Sequence, residues 1–140
     1  MPEAANLMML ALLTLVLWTL GLAFFMGYRR YTSVRSGTMS GTYYRLYQAG
    51  EEPADLRKLT RHYINLHESP LLFYALVLAI FVAGQADAAF SVLAWAYVAI
   101  RILHSLIHIG SNKLFHRFLI FGSGLLVLSA IAIRFAVTLL

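Results

Sequence analysis

In the stretch RILHSLIHIG, Arg101, His104, Ser105 and His108 fall at i, i+3, i+4 and i+7, so a helix here carries a guanidinium, a hydroxyl and two imidazoles on one face. A second set lies upstream in RHYINLHESP, where Arg61, Asn65 and Glu68 fall at i, i+4 and i+7. Guanidiniums recognise carboxylates and other anions, and a carboxylate such as Glu68 recognises an ammonium. The spacing of His104 and His108 would also suit a metal, with Glu68 as oxygen ligand, but no strong His/Asp/Glu set accompanies them and no metal is expected. The chain has no cysteine, which excludes disulfides, thiolate ligands and a protein-borne sulfur nucleophile.

Both sets sit inside apolar runs. Hydrophobic residues make up 61% of the 140 residues and charged residues only 12%, half the share of a soluble domain at roughly 25%. Four hydrophobic stretches use nearly the whole chain, so the expected fold is a single all-α domain over residues 1–140, an integral membrane four-helix bundle. The first run, Asn6 to Tyr28, is free of charge and about 34 Å long as a helix. It lacks a basic leader and a small-residue cleavage site, and is expected to be a retained helix. The other helices are expected at about 60–84, 88–109 and 115–139, with a polar segment over about 29–59. TYYRLYQAG within that segment mixes aromatics with one arginine, a headgroup-level composition or a plain loop.

Basic residues set the orientation. Arg29, Arg30, Arg35, Arg45, Arg57 and Lys58 lie in the first link and Lys113 with Arg117 at the third, whereas the second has none. The positive-inside rule then places links one and three in the cytoplasm and both termini outside. The net charge of +5 belongs to this pattern, and no nucleic-acid partner is expected.

Ionisable groups at membrane depth cost about 2.5–3.5 kcal/mol each on insertion scales. Glu68 lies roughly 10 Å inward from Arg61, and Arg101 roughly 13 Å inward from Gly110 on an antiparallel helix, so the two are expected to pair. Asn65 and His104 would form a shallower layer, with Arg61 and His108 near the mouth. The same pair would equally serve to lock helix register. Arg117 has the matching alternative of an interfacial anchor, and Arg134 is expected to snorkel at the opposite surface. His62 and His67 fall off the Arg61–Asn65–Glu68 face and read as packing or headgroup residues. Pro70 is expected to kink the second helix, with Asn65 satisfying freed backbone groups.

Taken together, R-x-x-x-N-x-x-E at Arg61, Asn65 and Glu68, R-x-x-H-x-x-x-H-x-G from Arg101, and the basic opening of the last helix resemble the MAPEG family, the membrane-associated proteins in eicosanoid and glutathione metabolism. The wording is most similar to short bacterial-type members, whose site would be the inner or plasma membrane. The resemblance implies a homotrimer in membrane lipid that binds glutathione as co-substrate between subunits and acts on a lipophilic small molecule as transferase or peroxidase. It also allows a non-catalytic member that binds a lipid or small anion. Asn65, Glu68, Arg101 and His104 match glutathione-contacting positions, Arg61 an arginine at the mouth, and Arg117 the arginine that holds the thiolate. Arg30 matches a first-helix arginine, a match Arg29 makes equally well. Phe121 and His108 stand where the family usually has tyrosine, and the proline after Glu68 comes one or two residues early.

Overall fold

The structure is a computed structural model that describes residues 2–46 and 50–140. Six helices follow one another: α1 (Pro2–Arg35), α2 (Gly41–Leu46), α3 (Ala54–Asn65), α4 (Ser69–Val82), α5 (Ala88–Ile109) and α6 (Leu114–Thr138). Four spans are long and apolar enough to cross a membrane, and α3 with α4 makes one of them.

The last two spans fall within one residue of their expected bounds, but the first two do not. The first helix runs on to Arg35 because its end is tied down: Arg29 pairs with Asp55 and Arg30 with Glu52. The polar segment is therefore largely helical, with α2 covering Gly41 and the first five residues of TYYRLYQAG; residues 47–49 of that stretch lie outside the described residues. The second span begins earlier, at Ala54, and breaks at residues 66–68. Pro70 has no N–H for the Leu66 carbonyl, and its ring clashes with that carbonyl in a continuous helix. The expected kink is thus a full interruption.

The core follows helical spacing. Met8, Ala11, Leu12 and Leu15 of α1 meet Phe73, Val77 and Ile80 of α4, Phe90, Ala94, Tyr97 and Val98 of α5, and Leu128 and Ile131 of α6. The buried stripe of α5 does not stop there. Arg101, His104, Ser105 and His108 continue it, all buried. The polar stripe therefore points into the bundle, which has an apolar half and a polar half on one central helix.

Hydrocarbon gives little drive for helices to associate, so close packing and interhelical hydrogen bonds do that work, each bond worth about 0.6 kcal/mol on average. Ser91 Oγ donates to the Ala4 carbonyl (2.7 Å), and Trp95 Nε1 donates to the Leu7 carbonyl (3.1 Å), joining α5 to α1. Gly124 lets α6 approach α5: a Cβ there would lie 3.4 Å from Ile100 Cγ2 and 3.9 Å from Arg101 Cδ.

Arg134 does not stand alone at the surface. It pairs with Asp87 in the α4–α5 link, and its guanidinium lies 4.8 Å from the Phe90 ring centre. Asp87 also caps α5 by accepting from Phe90 N (2.8 Å). That backbone N–H, and then Arg134, hold the Asp87 carboxyl below the usual carboxylate range.

Two outcomes follow. Asp87→Asn is expected to lower the thermal midpoint in detergent at pH 7. Because the folded value is depressed, the Asp87 contribution is complete above the unfolded value of about 3.9 and fades as pH falls through the folded one. Wild type and Asp87→Asn should therefore converge as pH falls below the usual carboxylate range. Gly124→Val is expected to destabilise by about 1–3 kcal/mol through overpacking, measured by equilibrium unfolding in detergent.

Candidate functional site: a cationic pocket between α3, α5 and α6

The break before Pro70 builds the centre of the site. In a continuous helix the Asn65 carbonyl would accept from Ser69 N; here it accepts from Glu68 N (3.3 Å) and from Arg101 Nη2 (3.2 Å). Arg101 Nη2 also donates to Asn65 Oδ1 (2.9 Å), and Asn65 Nδ2 donates to Glu68 Oε2 (3.0 Å). The expected direct pair of Glu68 and Arg101 is not present. The interruption turns Glu68 outward, where it is exposed, and the amide of Asn65 stands between the two charges.

The other wall is α6. Arg117 Nη1 donates to Asn112 Oδ1 (2.8 Å). Asn112 sits at φ 50°, a left-handed conformation that asparagine tolerates, and its N–H closes the end of α5 on the Ile107 carbonyl (2.8 Å). Gly110, two residues before it, is required, since a Cβ there would lie 2.8 Å from the Leu106 carbonyl oxygen. The α5–α6 link thus aims Arg117.

Asn65, His104, Arg117 and Phe121, with Leu114 and Phe118, line a cavity of about 220 Å³. The Arg101 guanidinium lies 5.8 Å from the Phe121 ring centre, and the His104 ring is also 5.8 Å from it. Neither Arg101 nor Arg117 has a carboxylate within 4.0 Å among the described residues, and the Nε of each is buried without a hydrogen-bond partner. Arg101 is 1% exposed, so this is a desolvated cation held by neutral acceptors alone.

Behind the cavity lies His62, whose sequence reading left packing and headgroup roles open; the structure shows packing. His62 is fully buried, on an α3 face with Leu56, Leu59 and Leu66 rather than on a headgroup surface. Its ring is 4.9 Å from that of His108 and 5.7 Å from that of His104. His62 Nε2 is 2.8 Å from Ser105 Oγ, Trp18 Nε1 donates to the same oxygen (3.0 Å), and Ser105 Oγ donates to the Arg101 carbonyl (2.9 Å). His108 is therefore a buried back wall and not part of the mouth, while Arg61 is exposed. The leucines at i, i+3 and i+10 around His62 are the signal that would have shown its inward face.

Arg30 belongs to a different cluster: it donates to Glu52 (3.3 Å) and Thr60 Oγ1 (3.1 Å) and lies 5.3 Å from the Tyr44 ring centre. Asn65, Arg101, His104, Arg117 and Phe121 are thus brought together. Glu68 joins them through Asn65, His108 lies behind, and Arg61 and Arg30 are apart.

Four apolar helical spans define a multi-pass α-helical membrane protein, and Arg117 lines a pocket between α3, α5 and α6. The chain belongs to the MAPEG family, whose description it matches over residues 8–137. No curated protein and no solved structure matches it.

Asn65→Leu removes the side-chain acceptor of Arg101 and is expected to cost about 1–3 kcal/mol. Adding Arg101→Met should recover most of that loss, because an apolar pair of similar volume leaves no buried charge unsatisfied. A double-mutant cycle by unfolding in detergent measures the coupling.

Proposed function

We propose that this protein is a membrane-embedded, glutathione-dependent transferase or peroxidase acting on lipophilic electrophiles. The observation that carries the reading is a pair of guanidiniums without a carboxylate partner among the described residues: Arg117 lines the cavity, and Arg101 is held by Asn65 of its lining and lies 5.8 Å from the Phe121 ring centre. Glutathione suits that donor set: its two carboxylates answer guanidiniums, and its ammonium answers Glu68, which Asn65 holds at the rim. Its thiol becomes nucleophilic when ionised, and Arg117 beside it favours the thiolate by charge and hydrogen bonding. The substrate brings the sulfur, which reconciles thiol chemistry with a chain that has no cysteine.

Exposed Glu68 and Arg61 on a membrane-crossing span would be costly against lipid, which supports a homotrimer whose neighbouring subunit covers them. The basic first segment supports a cytoplasmic site, with both termini outside. A second reading, a protein that binds a lipid or a small anion without turnover, draws on Phe121, which lines the cavity but has no hydroxyl to donate.

The test is steady-state conjugation of glutathione to a chlorodinitrobenzene and reduction of a lipid hydroperoxide by purified protein, beside thermal stability with and without glutathione. The expected result is turnover, with Arg117→Ala lowering kcat/KM at least about tenfold through loss of a preorganised donor. Stabilisation by glutathione without turnover gives the binding reading, and neither turnover nor stabilisation overturns both glutathione roles.

A further inference from the structure

A second cavity lies at the end of the bundle away from the cationic pocket. It has a volume of about 820 Å³ and is bounded by the first turns of α1, the α4–α5 link and the first two turns of α5. Its composition is graded. Glu3, Gln85 and Asp87 form the rim, and Leu7, Val92 and Trp95 form the walls that descend along the membrane-crossing helices. Those three walls are open sideways to the membrane: Leu7 is 43% exposed, Val92 68% and Trp95 40%.

The polar groups at the rim are not equivalent. Asp87 is engaged, capping α5 and pairing with Arg134. Glu3 and Gln85 make no side-chain hydrogen bond or ion pair among the described residues. The indole N–H of Trp95 is spent on the Leu7 carbonyl, so what Trp95 offers the cavity is its apolar ring. Arg134 is the only lysine or arginine in the stretches that form this end, and it is already neutralised. The rim therefore keeps one free carboxylate and one free amide beside an apolar slot.

We infer that this cavity is a lipid site, selective for a phospholipid whose headgroup ends in a primary ammonium. The slot takes the first part of an acyl chain from the surrounding leaflet, while the ammonium donates to the Glu3 carboxylate and to the Gln85 side-chain oxygen. A primary ammonium has three N–H donors for these acceptors, and a trimethylammonium has none. The free carboxylate disfavours an anionic head. The volume is far larger than an ion or a small free amine needs and falls in the range of about 300–1,000 Å³ that encloses an organic ligand. The inference does not rest on glutathione chemistry, since it shares no residue with the cationic pocket.

Trp95 provides the readout. The full chain is reconstituted in vesicles containing phosphatidylethanolamine or phosphatidylcholine with brominated acyl chains at equal mole fraction. Quenching at Trp95 is isolated as the difference between wild type and Trp95→Phe, which leaves Trp18 as a common background. Phosphatidylethanolamine should quench about threefold more effectively, the scale of one partly exposed ion pair. Glu3→Gln should bring the ratio close to one while the thermal midpoint stays unchanged, and Glu3→Asp should keep part of the preference. Equal quenching by both lipids in wild type overturns the inference, as does a preference that survives Glu3→Gln combined with Gln85→Ala. Emission that follows protein dilution and ignores the headgroup also overturns it, because a second copy of the chain would then fill the cavity.

Discussion

A guanidinium inside a membrane-spanning bundle must find acceptors where the solvent supplies none, and Arg101 meets that demand at 1% exposure without a carboxylate. Its acceptors come from one residue, the backbone and side-chain oxygens of Asn65. The interruption before Pro70 releases the backbone oxygen from its helical partner Ser69 N, and it accepts from Arg101 beside a bond from Glu68 N. The aliphatic stem of Arg101 passes Gly124 on α6, and its head lies near Phe121. A break in the second span, an amide, a small residue on α6 and an aromatic wall are thus parts of one solution to one buried charge.

The same helix that carries Arg101 organises the bundle. The buried stripe of α5 is apolar from Phe90 to Val98 and polar from Arg101 to His108 without changing direction. In the polar half, Ser105 gathers His62 from α3 and Trp18 from α1 onto one oxygen, so three spans are joined by directional bonds where dispersion alone would leave rotation undetermined. In the apolar half the joints are side chain to backbone, from Ser91 and Trp95 to carbonyls of α1. Hydrogen bonds at both ends of α5, donated by Ser91 and Trp95 at one end and accepted by Ser105 at the other, set its register against α1 along its length.

Much of this was legible from residue types and spacing. The long apolar runs specify four spans, and the bounds of the last two were readable because Asp87, Gly110 and Lys113 mark their ends. The cavity residues Asn65, His104, Arg117 and Phe121, and Arg101 bound to Asn65, were visible as polar groups or motif matches on apolar helices. The partnerships were less legible. Depth counting assumed an unbroken second helix, so it paired Glu68 with Arg101; three non-helical residues suffice to turn Glu68 away and leave Asn65 as the contact. His62 was assigned by its distance from the polar face, whereas its leucine neighbours decide which way it points.

By itself the sequence determined the class of the protein, because transfer of apolar residues and backbone satisfaction in lipid leave few alternatives for a chain of this composition. It also determined that cationic chemistry belongs inside the membrane, since so few charges stand in those runs and each is costly there. Only the tertiary structure decided which acceptor each cation has, that Arg30 serves the polar segment and not the pocket, and that Asn112 aims Arg117. The first and last of those outcomes depend on the non-helical backbone at Glu68, where ψ is −95°, and on the left-handed turn at Asn112. Helical periodicity averages such local departures away, and packing against α5 and α6 then selects among them.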